Sequence, residues 1–172
     1  MRRSVFLDRD GTINVDRGYV CKVKDFKFLP GAVRALKGLY DNDFDLFVVT
    51  NQSGIDRGFY TLEDMHIVHK HMREELSMCC IELKDIVYCP HNPSGKKCNC
   101  RKPKTGMLDF LIEKYDIDVL RSYLVGDKDG DVEAGKKVGV TTIRIGGPSS
   151  FADYHCSSLL EASEIILGGR KC

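Results

Sequence analysis

The sequence predicts an α/β fold, in which a doubly wound parallel sheet lies between two helical layers in a three-layer, Rossmann-like arrangement. Two observations lead to this prediction. Short apolar runs alternate along the chain with stretches of helical periodicity, which is typical of repeated strand–helix units. The apolar runs are nearly continuous, as expected for strands buried on both faces of a parallel sheet. The length of 172 residues fits one domain, so we expect residues 1–172 to form a single domain.

Five strands and five helices are predicted in alternation. The strands are residues 4–7, 45–49, 86–88, 122–125 and 141–145, and the helices are residues 31–40, 61 to about 77, 105–115, 131–138 and a carboxy-terminal helix. Local signals mark the helix starts. Pro30 stands at a first helical position, and Thr61 with Asp64 has the spacing of a capping box. Ser158 with Glu161 marks the start of the last helix.

Composition and charge exclude several classes of partner. The formal net charge is +1, so no basic surface attracts nucleic acid or an anionic membrane. No apolar run is long enough to span a bilayer, and the apolar stretch near the amino terminus ends after three residues at Asp8, too early for a secretion signal. We therefore expect a cytoplasmic monomer that acts on a small molecule and binds neither nucleic acid nor membranes.

Acids, a hydroxyl and a cation follow the predicted strands, where the loops of an α/β sheet converge on a ligand. Asp8 and Asp10 come directly after the first strand, Thr50 follows the second, and Lys102 and Asp127 follow later ones. Two carboxylates separated by one residue favour divided labour, with one nucleophile and one proton carrier. The sequence therefore predicts covalent catalysis at this edge of the sheet.

A phosphate ester is the substrate that fits these groups if a cation is present. A carboxylate that attacks a phosphate dianion meets a repulsion of roughly 4–5 kcal/mol per charge pair at about 3.5 Å. Mg²⁺ prefers oxygen ligands, and Asp127 completes such a ligand set. Thr50 and Lys102 offer a hydroxyl donor and a positive charge to the phosphoryl oxygens. We expect a magnesium-dependent phosphatase.

Three of the eight cysteines cluster with a histidine. Cys89, His91, Cys98 and Cys100 offer three thiolates and one imidazole, which suits a tetrahedral, structural Zn²⁺. The resulting zinc loop, residues 89–100, directly precedes Arg101 and Lys102, so zinc would fix both cations. The other cysteines are scattered and are expected to be reduced thiols: Cys21, Cys79, Cys80, Cys156 and Cys172.

Four segments, VFLDRDGTIN, VVTNQSG, CRKP and YLVGDKDGD, resemble the four motifs of haloacid dehalogenase (HAD) phosphatases. DRGYV at residues 16–20, TNQSGIDRG at residues 50–58 and the segment CPH…CNCRKP…GM are similar, more narrowly, to the heptose-bisphosphate phosphatase family. The resemblance implies a HAD-like fold and removal of one phosphate from a sugar bisphosphate, most specifically the 7-phosphate of a heptose 1,7-bisphosphate.

The resemblance also implies a role for each matching residue. Asp8 would attack phosphorus and form an aspartyl-phosphate, and Asp10 would protonate the leaving oxygen and then deprotonate water. Thr50 and Lys102 would hold the phosphoryl group. Mg²⁺ would be bound by the Asp8 side chain, the Asp10 backbone carbonyl and Asp127, with Lys128 beside it. The implied substrate contacts are Asp16, Arg17, Gly18, Tyr19, Asn51, Gln52, Ser53 and Arg101.

Specificity is expected to come from short loops, since about forty residues between Asp10 and Thr50 leave no room for a separate cap domain. These loops are residues 16–20, residues 54–58 and the zinc loop with Arg101. A bidentate contact from Arg101 to a second phosphate would favour a bisphosphate.

Three other interpretations remain open. A histidinol-phosphate phosphatase would share the catalytic residues and zinc, and the six residues between His91 and Cys98 favour it because that loop is short. A receiver-like signalling domain also places an acceptor aspartate on an α/β sheet, but Asp10 argues against it because a proton carrier hastens hydrolysis. A zinc-stabilised interaction module would release no phosphate.

Three histidines on the second predicted helix receive no functional assignment. His66 and His69 share a helical face, whereas His71 does not. With no acidic ligand nearby, we expect a solvated face there rather than a metal site.

Overall fold

A six-stranded parallel sheet organises the protein in the computed structural model, which describes residues 2–95, 98–147 and 151–168. Residues 96 and 97 of the zinc loop, and Cys172, lie outside the described residues. The strands are β1 (Ser4–Leu7), β2 (Asp45–Asn51), β3 (Leu83–Cys89), β4 (Tyr123–Gly126), β5 (Thr141–Ile145) and β6 (Tyr154–Cys156). The helices are α1 (Ala32–Asp41), α2 (Leu62–Met78), α3 (Gly106–Tyr115), α4 (Asp129–Val138) and α5 (Leu159–Gly168).

The strand order β3-β2-β1-β4-β5-β6 places β1 at the centre of the sheet. From β1 the chain winds outward to β2 and β3, then returns to β4 on the other side of β1 and winds outward again. The loops after β1 and β4 therefore diverge, and they leave a crevice at the carboxyl ends of these two strands. In open α/β sheets a ligand binds at such a switch point.

The core lies on both faces of the sheet. Val5 and Leu7 pack with residues of α1, α2 and α5 on one face, whereas Phe6 packs with residues of α3 and α4 on the other. Alternate residues of the same strand are thus buried on opposite sides, which explains the nearly continuous apolar runs. The predicted doubly wound, three-layer fold is confirmed.

The connections leave no room for a cap domain among the described residues. The segment from β1 to α1 carries only a 3-10 helix, Val23–Asp25, and the loop after β2 leads directly to α2. None of the helices in the described ranges is both long and apolar enough to cross a lipid bilayer.

Several element boundaries differ from the prediction. Helix α1 begins after Pro30 rather than at it, because Gly31 is its N-cap with a φ of 78°, a left-handed conformation that favours glycine. Helix α4 begins at Asp129, two residues before the predicted start. Strand β2 extends through Thr50 to Asn51. The sixth strand, β6, was not predicted. It has three residues, of which only Cys156 is buried.

The predicted caps are confirmed. The Thr61 hydroxyl accepts a hydrogen bond from the backbone N–H of Asp64, and the Asp64 carboxylate accepts one from the backbone N–H of Thr61. At the start of α5, the Ser158 hydroxyl accepts a hydrogen bond from the backbone N–H of Glu161.

Candidate active site

The predicted catalytic residues surround one cavity of about 210 Å³ at the switch point of the sheet. Asp8 continues β1, since its backbone N–H donates to the carbonyl of Val125 in β4. Thr50 reaches the cavity from β2, and Lys102 reaches it from the loop before α3. The lining residues are Asp8, Asp10, Thr50, Asn51, Arg101, Lys102, Lys128, Gly130 and Asp131.

Lys102 joins two buried carboxylates. Its Nζ lies 2.9 Å from Asp8 Oδ1 and 2.5 Å from Asp131 Oδ1, and it donates to the carbonyl of Val49 at 2.6 Å. Burial lowers the pKa of Lys102, but the carboxylates of Asp131 and Asp8 outweigh burial and raise it above its ordinary value. The lysine is therefore a fixed positive charge beside Asp8, the predicted nucleophile.

Asp8, Asp127 and Asp131 form an acidic cluster, in which the three carboxylates each place an oxygen within 4.8 Å of the others. Burial and then the charge of Asp8 raise the pKa of Asp127 to about 7. Within the described part of the chain, Asp127 Oδ1 is buried and has no hydrogen-bond partner. A buried carboxylate oxygen without a partner is costly unless a cation satisfies it. These hard oxygen donors fit Mg²⁺.

Two glycines make room for this cluster. A Cβ atom on Gly126 would lie 2.3 Å from Asp131 Oδ2, and one on Gly11 would lie 2.3 Å from Asp127 Oδ2. Gly11 also has a φ of 83°, which other residues rarely adopt. The motifs that contain these glycines therefore serve geometry as well as chemistry.

Asp131 was missed by the sequence analysis, which assigned Asp127 and Lys128 from the loop after β4. Its side chain turns back at the first turn of α4, where Oδ2 accepts a hydrogen bond from the backbone N–H of Lys128. The available signal was its place in the first helical turn, where an acid caps free N–H groups and stays near the strand ends.

Asp10 is held by four side-chain donor groups. Arg9 donates to it from Nε and Nη2, with distances of 2.9–3.2 Å. Asn14 Nδ2 donates to Oδ1 at 3.0 Å, and Gln52 Nε2 donates to Oδ2 at 2.9 Å. The carboxylate therefore has one defined orientation at the cavity wall.

Gln52 and Asn51 serve as anchors within the protein. Buried Gln52 also donates to the hydroxyl of Thr50 at 2.8 Å and accepts from the hydroxyl of Tyr60 at 2.6 Å. Asn51 makes two hydrogen bonds of 3.1 Å to the backbone of Lys102, one with its N–H and one with its carbonyl. The predicted substrate contacts of both residues stay predictions.

A second cavity of about 290 Å³ adjoins the first and holds most of the predicted substrate-binding residues. Arg17 is not among its lining residues and is exposed on the rim loop. Tyr60 was not predicted, and the exposed ring of Phe59 packs on Tyr19 at the same end, with ring centroids 4.8 Å apart. The lining residues are Asp10, Asp16, Gly18, Tyr19, Asn51, Gln52, Ser53, Tyr60, Arg101 and Lys128.

The four predicted zinc ligands come together at the end of β3. Cys100 Sγ lies 3.1 Å from Cys89 Sγ and 3.3 Å from His91 Nδ1, and the Sγ atoms of Cys89 and Cys98 are 3.7 Å apart. Burial raises the pKa of Cys89. Burial also opposes ionisation of Cys98, but a hydrogen bond from the Arg101 backbone and bonds from the other thiols lower its pKa to about 7. This soft donor set fits tetrahedral Zn²⁺.

The zinc loop is tied to two other parts of the site. Arg101 Nη1 donates to the carbonyl of His91 at 3.3 Å. Asp56, in the loop after β2, accepts a hydrogen bond from the backbone N–H of Asn92 at 2.9 Å. Two of the three expected specificity loops, residues 54–58 and the zinc loop, are therefore held against each other.

The prediction of a solvated face on α2 is wrong for one of its histidines. His66 is exposed, but His69 is only 5% exposed, and its Nε2 lies 3.1 Å from Nη1 of Arg9. Burial and then the charge of Arg9 lower the pKa of His69 to about 3. Among the described residues, these histidines belong to no cluster that could hold a metal.

The fold and the site together define a class of protein. A parallel sheet with an acidic cluster, a hydroxyl and a buried lysine at the ends of its central strands is the arrangement of HAD-like hydrolases. A family model described as HAD-hydrolase-like matches residues 99–147.

Curated relatives narrow the class. D-glycero-beta-D-manno-heptose-1,7-bisphosphate 7-phosphatase of Haemophilus ducreyi is 44% identical over 147 residues, which cover 82% of this chain and 81% of that protein. The enzyme of the same name from Escherichia coli (strain K12) is 40% identical and covers 95% of this chain and 93% of its own. The chain belongs to the heptose-1,7-bisphosphate 7-phosphatase family.

A solved structure has the same fold over nearly the whole chain. D,D-heptose 1,7-bisphosphate phosphatase from B. bronchiseptica, complexed with magnesium and phosphate, has a TM-score of 0.89 at 28% identity. The match covers 97% of this chain and 99% of that one. Magnesium and phosphate are thus present together in a protein of this architecture.

Proposed function

We propose that this chain is a phosphatase that removes the 7-phosphate of D-glycero-D-manno-heptose 1,7-bisphosphate through an aspartyl-phosphate on Asp8. The observation that carries the proposal is the buried pairing of Asp8 with Lys102 and the acidic cluster, which faces a cavity beside Asp10 and Thr50. The names of the relatives supply the sugar.

The residues divide the reaction into two steps. An oxygen of Asp8 bonds to phosphorus while the bond from phosphorus to the sugar oxygen breaks, and Asp10 gives its proton to that oxygen. Asp10 then takes a proton from a water molecule, which bonds to phosphorus as the bond to Asp8 breaks. Phosphate leaves, and both aspartates return to their starting states.

The phosphoryl group is held by groups that are already oriented. The Thr50 hydroxyl oxygen accepts a hydrogen bond from Gln52, so its own proton points elsewhere and is available to a phosphoryl oxygen. Lys102 supplies a buried positive charge that needs no reorganisation during the reaction. Lys128 lies at the border of the two cavities, where it also pairs with Asp16 at 3.3 Å.

Asp8, Asp127 and the backbone carbonyl of Asp10 would hold Mg²⁺, with Asp131 next to them. When bound, Mg²⁺ would withdraw charge from the phosphoryl oxygens and reduce their repulsion of the nucleophile. Asp127 Oδ1 is buried and has no hydrogen-bond partner within residues 2–95, 98–147 and 151–168, which supports a cation at this place.

The zinc cluster would affect the reaction by holding two active-site side chains in place. Zn²⁺ bound by all four ligands has no open coordination site, so it would fix the loop that carries Arg101 and Lys102. Arg101 lines both cavities and would bind the second phosphate of the substrate. We also propose that the protein acts in the cytoplasm and is a monomer. Size-exclusion chromatography with light scattering tests the oligomeric state.

Histidinol phosphate is the second candidate substrate. One specific observation favours it, namely the short span of six residues between His91 and Cys98. A short zinc loop is the feature in which the chain resembles histidinol-phosphate phosphatases.

Release of inorganic phosphate from a panel of substrates tests the proposal. The panel contains both anomers of the heptose bisphosphate, sugar monophosphates and histidinol phosphate, each with and without Mg²⁺. We expect the highest kcat/KM on a heptose bisphosphate with Mg²⁺, and no release by the Asp8→Asn variant. Faster hydrolysis of histidinol phosphate would overturn the choice of substrate, and normal turnover by Asp8→Asn would overturn the mechanism.

A further inference from the structure

Arg9 lies between the nucleophile and the proton carrier in the sequence, yet its side chain points away from solvent. The guanidinium is fully buried, and among the residues that the structure describes Arg9 is the largest one buried to this degree. Its Nη2 donates to Asp10 and also to the backbone carbonyl of Val20 at 3.0 Å. A buried guanidinium needs a partner for each of its edges.

His69 satisfies the remaining edge. Its Nε2 lies 3.1 Å from Nη1 of Arg9. Arginine has donors only and keeps its proton, so His69 Nε2 must accept this hydrogen bond. The ring is therefore neutral with its proton on Nδ1, in agreement with the lowered pKa of His69.

The result is a chain of three side chains that leads from α2 to the active site. His69 holds Nη1 of Arg9, and the opposite edge of the same guanidinium holds the carboxylate of Asp10. The guanidinium is planar and rigid, so fixing one of its edges fixes the other. An apolar residue at position 69 would leave a buried donor of Arg9 without a partner.

We propose that His69 is a positioning residue for the reaction, which sets the orientation of Asp10 through Arg9. The inference rests on the proposed function, because it requires Asp10 to carry protons. Asp10 acts in both chemical steps and does not bind the phosphoryl group. Disturbing its orientation should therefore lower kcat and leave KM unchanged.

Two polar variants separate this role from simple packing. In His69→Gln the side-chain carbonyl reaches about as far as Nε2 and can accept from Arg9, whereas in His69→Asn it stops near the place of Nδ1 and cannot. Both variants are smaller than histidine and remain polar, and they differ from each other by one methylene group. His66→Asn is the control, because His66 is exposed on the same face of α2.

The experiment compares kcat and KM of the full chain, loaded with Mg²⁺ and Zn²⁺, on the best substrate of the panel. Without an acceptor at position 69 the guanidinium of Arg9 no longer fixes Asp10, so we expect His69→Asn to lower kcat by about 5- to 150-fold with KM within about twofold. His69→Gln should retain kcat within about threefold, and His66→Asn should match the wild type.

Each other outcome overturns the inference. Equal losses in the Gln and Asn variants would indicate that His69 only fills space, and a rise of KM in step with the fall of kcat would indicate a displaced binding site. Wild-type kcat in His69→Asn would remove His69 from the mechanism while the proposed function stands. A wild-type protein that releases phosphate from no substrate would sink both proposals together.

Discussion

Replacing Asp131 with asparagine tests the buried ion cluster most directly. The change keeps the size of the side chain and removes its charge, 2.5 Å from the ammonium of Lys102. At an effective dielectric constant near 20, two unit charges at this distance attract by about 6–7 kcal/mol. The desolvation of both groups offsets much of this attraction, and removing one member of a buried pair typically costs about 3–5 kcal/mol.

For Asp131→Asn, the expected loss of interaction free energy at Lys102 lies below that range. Lys102 keeps Asp8 at 2.9 Å and the carbonyl of Val49, and the new amide still offers a neutral oxygen. We therefore expect about 2–3 kcal/mol. Because Lys102 then shares its charge with Asp8 alone, the nucleophile is held more tightly and reacts more slowly. If the full amount appears in the transition state, kcat falls by about 30- to 150-fold.

The assay measures phosphate release as a function of Mg²⁺ concentration. The acidic cluster loses one negative charge, so half-saturation should need about tenfold more Mg²⁺, which corresponds to about 1.4 kcal/mol. Asp129→Asn is the matched control: its side chain is 62% exposed on the first turn of the same helix, and it pairs with Arg144 at 3.5 Å. If Asp131→Asn keeps both kcat and its Mg²⁺ requirement within twofold of the wild type, the reasoning about this cluster is wrong.

Three further predictions concern other parts of the site. Asp10→Asn should slow both formation and hydrolysis of the aspartyl-phosphate by about 100-fold or more, as seen in rapid-quench experiments, while the circular dichroism spectrum stays unchanged; normal turnover would exclude Asp10. Cys98→Ser should lose zinc, raise KM and lower kcat together; a zinc-free variant with wild-type kinetics would contradict the positioning role. The pKa of His69 is about 3 when folded and 6.5 in its reference state, so below pH 6.5 only the unfolded chain takes up the proton, and stability falls as the pH falls. Between pH 7.5 and 5.5 this loss is about 1.4 kcal/mol, and His69→Gln should lack it in urea titrations at the two pH values; equal losses in both proteins would contradict the burial argument.

The sequence was most informative where the chemistry demands a particular residue type at a strand end. Asp8 and Thr50 stand at the ends of apolar strands, and parallel strands bring their carboxyl ends to one edge. The candidate zinc ligands were equally readable, because three cysteines and a histidine within twelve residues have few other uses. The structure brings together the residues that these two arguments selected.

Asp131 was not predicted because its role depends on the direction in which its side chain points within one helical turn. Every second residue after β4 is an aspartate: Asp127, Asp129 and Asp131. The predicted start of the next helix lay two residues too late. The actual start at Asp129 turns Asp131 toward Lys102 and leaves Asp129 in solvent. A shift of two residues along a helix rotates a side chain by about 200°, so an uncertain boundary was enough to hide this residue.

His69 was hidden for a different reason. Helical periodicity shows which residues of α2 share a face, but not what that face meets. Its partner is Arg9, a residue type that is almost always exposed. Only the loop after β1, which turns this side chain inward toward α2, creates the need for a polar residue there. Pairings of this kind depend on the tertiary structure alone.

The distance along the chain between the paired groups determines when this protein becomes competent during synthesis. Lys102 follows its partner Asp8 by 94 positions, and Asp131 comes later still. Asp8, the proposed nucleophile, therefore leaves the ribosome long before the groups that complete its surroundings exist. Contacts between such remote segments form only once the intervening strands are ordered. Activity thus reports completion of the central sheet, and a fragment that ends before β4 would carry the reactive carboxylate as an inert side chain.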